Sequence, residues 1–324
     1  MSDTYLVTGG AGFIGSHVVE ELLRRGHGVR ILDNFSTGRR SNIAHVSDDI
    51  EVVEGDLRSY ERVHAAVRGT DRVIHLAALP SVPRSVQDPL TSNETNVTGT
   101  LNTLLAARDE NVSRVVLASS SSVYGANDGM PKREDMVPQP ISPYGVSKLA
   151  AEQYGRAFSS VYGLETVALR YFNVFGPRQD PNSQYSGVVP IFIRAAQERR
   201  ECVVYGDGLQ SRDFTYVTNV VDATLKAATV EGAGGAICNI GCGAAFTVLD
   251  LIAAVSKAAG HELRTRFEPP RPGDIKHSFA DISLARSVLG YEPTVGFEQG
   301  VESTWRSLVC DTSDNGSRKR TVRA

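Results

Sequence analysis

Thr8-Gly9-Gly10-Ala11-Gly12-Phe13-Ile14-Gly15 is the stretch that most restricts what this chain can fold into. It follows a short β-type run, Thr4-Tyr5-Leu6-Val7-Thr8, and opens an apolar helical pattern from Ile14 to Arg25. Gly9, Gly12 and Gly15 permit a tight turn, close approach of the backbone to a ligand, and close helix–strand contact. A pyrophosphate would sit at the helix N-terminus, where unpaired N–H groups and the peptide dipoles favour negative charge. Glycine-rich turns are common, so the placement between strand and helix matters more than the glycines themselves. Asp33 sharpens the reading. It ends a second strand run, Val29-Arg30-Ile31-Leu32, 24 residues after Gly9, near the ~20-residue separation at which a carboxylate meets the adenosine ribose. A carboxylate there repels a 2′-phosphate, so NAD is preferred over NADP, although Arg39 and Arg40 lie just beyond Ser36-Thr37-Gly38.

Further apolar, β-branched runs at Val73-Ile74-His75-Leu76, Arg114 to Ala118 and Thr166 to Leu169 suit a parallel sheet covered on both faces. Helical patterns between them, including Tyr144 to Tyr162 with Val146, Leu149, Ala150 and Tyr154 on one face, make a βαβ alternation. The expected fold is α/β: a doubly wound parallel sheet of Rossmann type over residues 1–174, followed by a smaller α/β substrate-binding domain over 175–310. Some later strands should return to the main sheet. After Asn173 glycine and proline become frequent and the alternation becomes irregular. The polar stretch 311–324 reads as a disordered tail.

Composition narrows the function class. A net charge of −3 gives no basic excess with which to neutralise nucleic acid. No apolar run approaches a membrane span of about 18 residues. Cys202, Cys238, Cys242 and Cys310 have no zinc-type spacing, so no metal is expected, and the thiols fit a reducing cytoplasm.

Tyr144-Gly145-Val146-Ser147-Lys148 sets a phenol and an ammonium four residues apart, on one face of a helix. Alone the pair is only suggestive; the chemistry explains the spacing. A base that strips a proton from a sugar hydroxyl must act near neutral pH, whereas free tyrosine titrates near ~10, and lowering that to about 7 takes ~4 kcal/mol. A desolvated lysine one turn away, beside the positive nicotinamide ring, can supply it. Ser119-Ser120-Ser121-Ser122-Val123-Tyr124-Gly125 follows the Arg114 strand. A hydroxyl there can bond the reacting sugar oxygen as alcohol or ketone.

With these motifs the chain resembles the nucleotide-sugar epimerase/dehydratase branch of the extended short-chain dehydrogenases, and within it the bacterial UDP-N-acetylglucosamine and UDP-glucose 4-epimerases. The resemblance runs from Tyr5 to about Trp305 through Gly55-Asp56-Leu57, His75 to Ala78, Asn96 to Thr100, Arg170 to Pro177, Ser211 to Phe214 and Arg271 to Asp274. It implies Ser120, Tyr144 and Lys148 as the catalytic residues. It implies cofactor contacts from Gly9, Gly12, Phe13, Ile14 and Gly15, from Asp33, Asn34, Ser36, Thr37 and Gly38, and from Asp56 and Leu57 about the adenine. Leu76, Ala77, Ala78 and Asn96 would line the pyrophosphate side, and Tyr171 would lie near the nicotinamide with Tyr144 and Lys148. For the substrate it implies Arg84, Ser121, Ser122, Asn173 and Arg178. It also implies Gly187, Val188, Phe192 near the uracil, Tyr205, Gln210, Arg212, Arg271, Asp274 and Ser278.

Dehydratases of this branch carry Asp-Glu where this chain has Ser121 and Ser122, so elimination is not expected. Ser278 is small where glucose-restricted relatives place an aromatic, which leaves room for an N-acetyl group, and Ser81 to Ser85 also resembles the N-acetylhexosamine group. The resemblance thus implies an NAD-dependent UDP-hexose 4-epimerase acting through a transient 4-keto sugar. UDP-glucuronate is an alternative if Arg178 or Arg84 receives a carboxylate. A keto-sugar reductase and a non-catalytic sensor are further ones. A homodimer through helices beginning near Leu90 and Tyr144 is implied as well.

Overall fold

A computed structural model describes residues 2–180, 187–270 and 275–318, with side chains described as far as Leu308. The first half alternates strand and helix: β1 (Thr4–Thr8), α1 (Phe13–Arg24), β2 (Gly28–Asp33), β3 (Glu51–Glu54), α2 (Tyr60–Val67) and β4 (Arg72–His75). It continues with α3 (Val82–Gln87), α4 (Pro89–Asn93), α5 (Gly99–Asp109), β5 (Arg114–Ser120), α6 (Pro143–Tyr162) and β6 (Glu165–Tyr171). A π-helical turn, Glu94–Thr98, joins α4 to α5. Seven parallel strands form one sheet in the order β11-β6-β5-β4-β1-β2-β3. The order reverses between β1 and β4, and the crevice outside the carboxyl ends at such a switch point is where ligands bind.

The second half is built of short pieces: β7 (Val174–Phe175), α7 (Val188–Gln197), β8 (Cys202–Tyr205), β9 (Ser211–Arg212), β10 (Thr215–Tyr216) and α8 (Val217–Thr229). Then come β11 (Ile237–Ile240), β12 (Phe246–Thr247), α9 (Val248–Ala259), β13 (Thr265–Glu268), β14 (His277–Ser278), α10 (Ser283–Leu289) and α11 (Phe297–Arg318). This half contributes a strand to the main sheet, where β11 pairs with β6. The halves also share one apolar core: Val7, Ile74 and Val167 belong to the same buried cluster as Phe175, Phe214, Val217 and Phe297. The expected disordered tail is corrected in part, because α11 continues through Asp311 to Arg318; no proline interrupts its hydrogen-bond ladder there.

Strand composition explains the sheet. Val115, Val116, Val167 and Leu169 are buried, as a strand covered on both faces requires. Among the described residues no helix is long and apolar enough to cross a membrane, and no cluster of ligating side chains could hold a metal.

Candidate active site

The β1–α1 turn is a cradle that side chains would fill. Gly9 adopts φ +72, and a Cβ on it would lie 2.8 Å from the Ala77 amide nitrogen. A Cβ on Gly15 would lie 2.1 Å from the Gly9 carbonyl oxygen. Gly12 is the N-cap of α1; no side chain caps the helix and no acidic residue sits in its first turn. Phe13, Ile14 and Gly15 therefore open a helix end suited to an anion. Ala77, facing this turn, is held by its N–H to the Thr8 hydroxyl (3.2 Å), while Leu76 donates to the Thr8 carbonyl.

Asp33 ends β2 beside the cradle. Its carboxylate accepts N–H bonds from Ala11 (3.0 Å) and Phe35 (2.8 Å). Burial raises its pKa, and those two bonds oppose the rise. A Cβ on Gly38 would lie 2.8 Å from both carboxylate oxygens, so the Ser36-Thr37-Gly38 loop closes directly over them. The two arginines that could have favoured a 2′-phosphate are already matched: Arg39 pairs with Asp180, and Arg40 pairs with Glu54 (2.5 Å) and lies over the Phe35 ring. On the adenine side, Asn34 donates to Asp56 (3.1 Å), and Arg58 holds the Asp56 carboxyl down at about 2. Leu57 is buried next to it. A cradle closed to any Cβ, a helix end without a cap and a buried carboxylate with neutralised cations together fit NAD.

Across the switch point stand the three catalytic candidates. Ser142 caps α6 by accepting the Gly145 N–H (3.1 Å), and the Tyr144 N–H donates to Ser85 of α3 (3.0 Å). This fixes Tyr144 in the first turn, where the Ser120 hydroxyl at the carboxyl end of β5 acts to lower the pKa of its phenol. Ser120 also donates to the Ser122 hydroxyl and accepts the Ser122 N–H, each at 3.1 Å. Lys148, one turn on, is buried; its Nζ donates to the Ala118 carbonyl (2.8 Å) and stands 5.9 Å from the Tyr144 ring centre. Burial draws the Lys148 ammonium down to about 8, with Glu152 opposing.

The protein alone does not make Tyr144 acidic. Burial raises the phenol pKa above 10, and Ser120 only partly offsets this. The positive charge that would favour phenolate has to arrive with the oxidised cofactor.

Other expected contacts fall as follows. Asn96, in the π-helical turn, has its amide engaged by Leu79 and by Ser147 (3.1 Å). It therefore ties Leu79, just beyond the Leu76–Ala78 segment, to α6. Tyr171 neighbours Ser120 in the β5–β6 register, with its hydroxyl bonded to Thr224 (2.8 Å). Ser121 lies with Ser122 in a short 3₁₀ turn. Asn173 is exposed just beyond β6. Arg212 on β9 is directly opposite Ser278 on β14 and donates to the Ser211 and Lys276 carbonyls. Gly187 caps α7, and Val188 starts it. Gln210 donates to the Tyr205 carbonyl (2.8 Å), and Arg84 is half-buried on α3.

Two expectations change. Phe192 is only 3 % exposed within the core, so its ring offers no open face to a base; it faces inward on α7 because Val189 and Ile193 do. The Arg178 guanidinium pairs with Glu20 of α1 (2.6 Å) beside His17, which meets the Pro177 carbonyl. Its charge is thus matched before any sugar carboxylate arrives. Arg271 and Asp274 lie outside the described residues.

Further buried polar groups hold this arrangement together. His75 meets the Thr8 and Thr100 hydroxyls through its two ring nitrogens (2.9 and 3.1 Å). Asp213 accepts N–H bonds from Cys242, Gly243 and Ala280, binding the loops behind Arg212 and Ser278. Glu152 follows Tyr144 and Lys148 at helical spacing, and that spacing was the available signal for it.

Comparison with known proteins agrees with the geometry. The model of the NAD dependent epimerase/dehydratase family matches residues 5–241. A UDP-glucose 4-epimerase of Mycolicibacterium smegmatis is 41% identical over 303 residues, 92% of this chain and 96% of the relative. The structure of a UDP-N-acetylglucosamine 4-epimerase from Methanobrevibacter ruminantium in complex with UDP-N-acetylmuramic acid superimposes with a TM-score of 0.91 at 38% identity, covering 96% of this chain and 99% of that one. A Thermus thermophilus UDP-glucose 4-epimerase in complex with NAD gives 0.87 at 39% identity, over 94% and 99%. The chain therefore belongs to the NAD-dependent epimerase/dehydratase family.

Proposed function

We propose that the protein is an NAD-dependent UDP-hexose 4-epimerase that interconverts UDP-N-acetylglucosamine or UDP-glucose with the galacto epimer. The observation that carries this reading is buried Lys148, held by its Nζ to the Ala118 carbonyl (2.8 Å) and standing 5.9 Å from the ring of Tyr144 one turn back on α6, at the end of β5 that carries Ser120. NAD, which the β1–α1 turn and Asp33 would hold, would supply the hydride acceptor and donor for carbon 4. Tyr144 takes the 4-hydroxyl proton in the first half-reaction and gives it back in the second. Ser120 bonds the same oxygen and keeps it within reach while carbon 4 changes from alcohol to ketone and back. Ser121 and Ser122 offer no carboxylate, which disfavours elimination from the ketone.

Inversion requires the 4-keto sugar to turn while the nucleotide stays fixed. Arg212 suits the anchoring, since a guanidinium binds phosphate oxygens bidentately, and Asn173 is exposed at the end of β6 to assist. Small Ser278 opposite Arg212 supports an N-acetyl substrate. We assign the dinucleotide to the 1–174 portion with the segments that return to it, and the UDP-sugar to 175–310. We place the enzyme in the cytoplasm as a homodimer.

The test is purified protein with NAD and, separately, UDP-N-acetylglucosamine, UDP-glucose and UDP-glucuronate, with products resolved by proton NMR. Interconversion of C4 epimers without net NADH is the expected result. Failure to epimerise any of the three with NAD bound would remove the proposal, and steady consumption of added NADH would replace it with a reductase. A glucuronate preference needs a cation for the carboxylate. Arg178 being matched by Glu20 leaves Arg84, so selective loss of glucuronate turnover in Arg84→Ala would promote that substrate.

A further inference from the structure

We infer that Glu152 is the positioning residue of the proton-transfer site: it holds the strand end that carries Ser120, and it supplies the counter-charge for Lys148. The inference rests on the reading of Lys148 as the partner of Tyr144.

The geometry is a ladder. Tyr144, Lys148 and Glu152 occupy successive turns on one face of α6, and each faces one of three consecutive residues of β5. The Tyr144 phenol is influenced by the Ser120 hydroxyl, Lys148 donates to the Ala118 carbonyl (2.8 Å), and Glu152 accepts from the Ser119 hydroxyl (2.5 Å). The third rung is anchored from behind. Arg170 of β6 donates to both Glu152 oxygens (2.9 and 2.8 Å) and to the Tyr124 hydroxyl (3.0 Å), which donates to Asn239 of β11 (2.6 Å). The strand end is thus locked to a helix on one side and two strands on the other.

The charges around Lys148 make Glu152 more than a brace. On α6 it is faced by Tyr144 and Glu152. On β4, His75 is kept neutral, with both ring nitrogens on threonine hydroxyls. On β5 the neighbours are a carbonyl and serine hydroxyls. On β6, Arg170 turns its remaining nitrogen to Tyr124. Among the described residues Glu152 is the anion acting on Lys148, and it supports the ammonium against a burial that alone lowers it. The Glu152 and Arg170 side chains are 0% and 3% exposed. A buried pair of this kind is commonly matched or exceeded in stability by apolar residues of the same size, so stability alone does not account for it.

The direct test uses Glu152→Gln, which keeps an acceptor for Ser119, and Glu152→Gln/Arg170→Met, which leaves no unpaired buried charge. The lysine εCH2 signals of cofactor-free protein are titrated by carbon-13 NMR, with Lys148 assigned among six lysines through Lys148→Met. Loss of the carboxylate should lower the Lys148 midpoint by about 1 unit or more. The alkaline limb of kcat/KM should move toward lower pH with it, because Lys148 acts while protonated. Glu152→Asp, which keeps the charge, should hold the midpoint near the wild-type value even if its Tm falls. An unchanged midpoint and limb in folded Glu152→Gln, or in the double variant measured against Arg170→Met alone, would overturn the inference and leave Glu152 a structural brace. If instead Lys148→Met retains wild-type activity, the role given to Lys148 fails, while the NMR midpoint still decides whether Glu152 is its counter-charge.

Discussion

At Tyr144 burial and chemistry pull in opposite directions. The phenol is held above its ordinary pKa by its surroundings, yet the reaction needs it to accept a proton. The protein alone therefore keeps Tyr144 protonated, and on the proposed mechanism the base would form only with the positive cofactor and charged Lys148 both in place. Tyr144→Phe keeps the ring and removes the acceptor. It should lower kcat by at least about 100-fold, the lower range for a positioned general base, with NAD affinity unchanged in a fluorescence titration; an unaltered kcat would rule Tyr144 out. His75 offers a second measurement. Its burial depresses the ring pKa to about 3, far below the ~6.5 of an unfolded chain. Its contribution is complete above pH 6.5 and is lost as the pH falls toward 3, because the unfolded state then binds a proton that the folded state does not. Between pH 6.5 and 5 wild type should lose about 2 kcal/mol more than His75→Gln in urea unfolding; equal losses would show that His75 is not held neutral. The proposed catalytic trio could be named from the sequence because the proposed chemistry demands its spacing. Asn96 and Phe192 are buried, and nothing local in the sequence tells which side of a buried residue meets a ligand and which meets another helix. Glu152 lay in plain helical register but carries no motif.

At the scale of elements, the β1–α1 turn is the part most tightly tied to its residues. Gly15→Ala would drive a methyl to 2.1 Å from the Gly9 carbonyl oxygen, a backbone atom that cannot swing aside, whereas Gly12→Ala meets the same oxygen at 3.1 Å. The first should cost about 3 kcal/mol, the upper range for overpacking, and abolish NAD binding; the second should be milder in both. Thermal melts and NAD titrations of the pair check the order, and a Gly15→Ala protein that binds NAD as wild type would mean that the turn is looser than its geometry. Element legibility follows burial. The β1, β5 and β6 strands announce themselves as β-branched runs because both faces are covered. β3 was invisible, since Glu51-Val52-Val53-Glu54 lies at the sheet edge with Glu51, Val52 and Glu54 exposed. The two-residue strands β7, β9, β10, β12 and β14 exist only through partners distant in sequence, so no local pattern could have marked them.

For the molecule as a whole, one face remains apolar and uncovered. Leu90 on α4 is 68 % exposed and Val146 on α6 is 53 % exposed. Val146 with Pro89, Pro140, Ile141 and Pro143, together with Asn93 and Ser142, lines an open hollow of about 520 Å³, and Leu90 follows Pro89 on the same helix. Isolated surface leucines are ordinary, but a contiguous apolar face on two adjacent helices marks an interaction site, and a second copy of the chain can cover it by a two-fold axis through the same helices. Val146 projects outward from the very turn that carries Tyr144 and Lys148 inward, so closing this face would brace the helix on which the chemistry stands. Leu90→Arg places a charge that a desolvated interface cannot accommodate. Sedimentation equilibrium at micromolar concentration should show wild type at twice the chain mass and Leu90→Arg at the chain mass of 34.9 kDa, with kcat reduced and Tm lowered in the variant. A wild-type monomer under those conditions would leave the face to another partner, and a Leu90→Arg dimer would move the interface elsewhere on the surface.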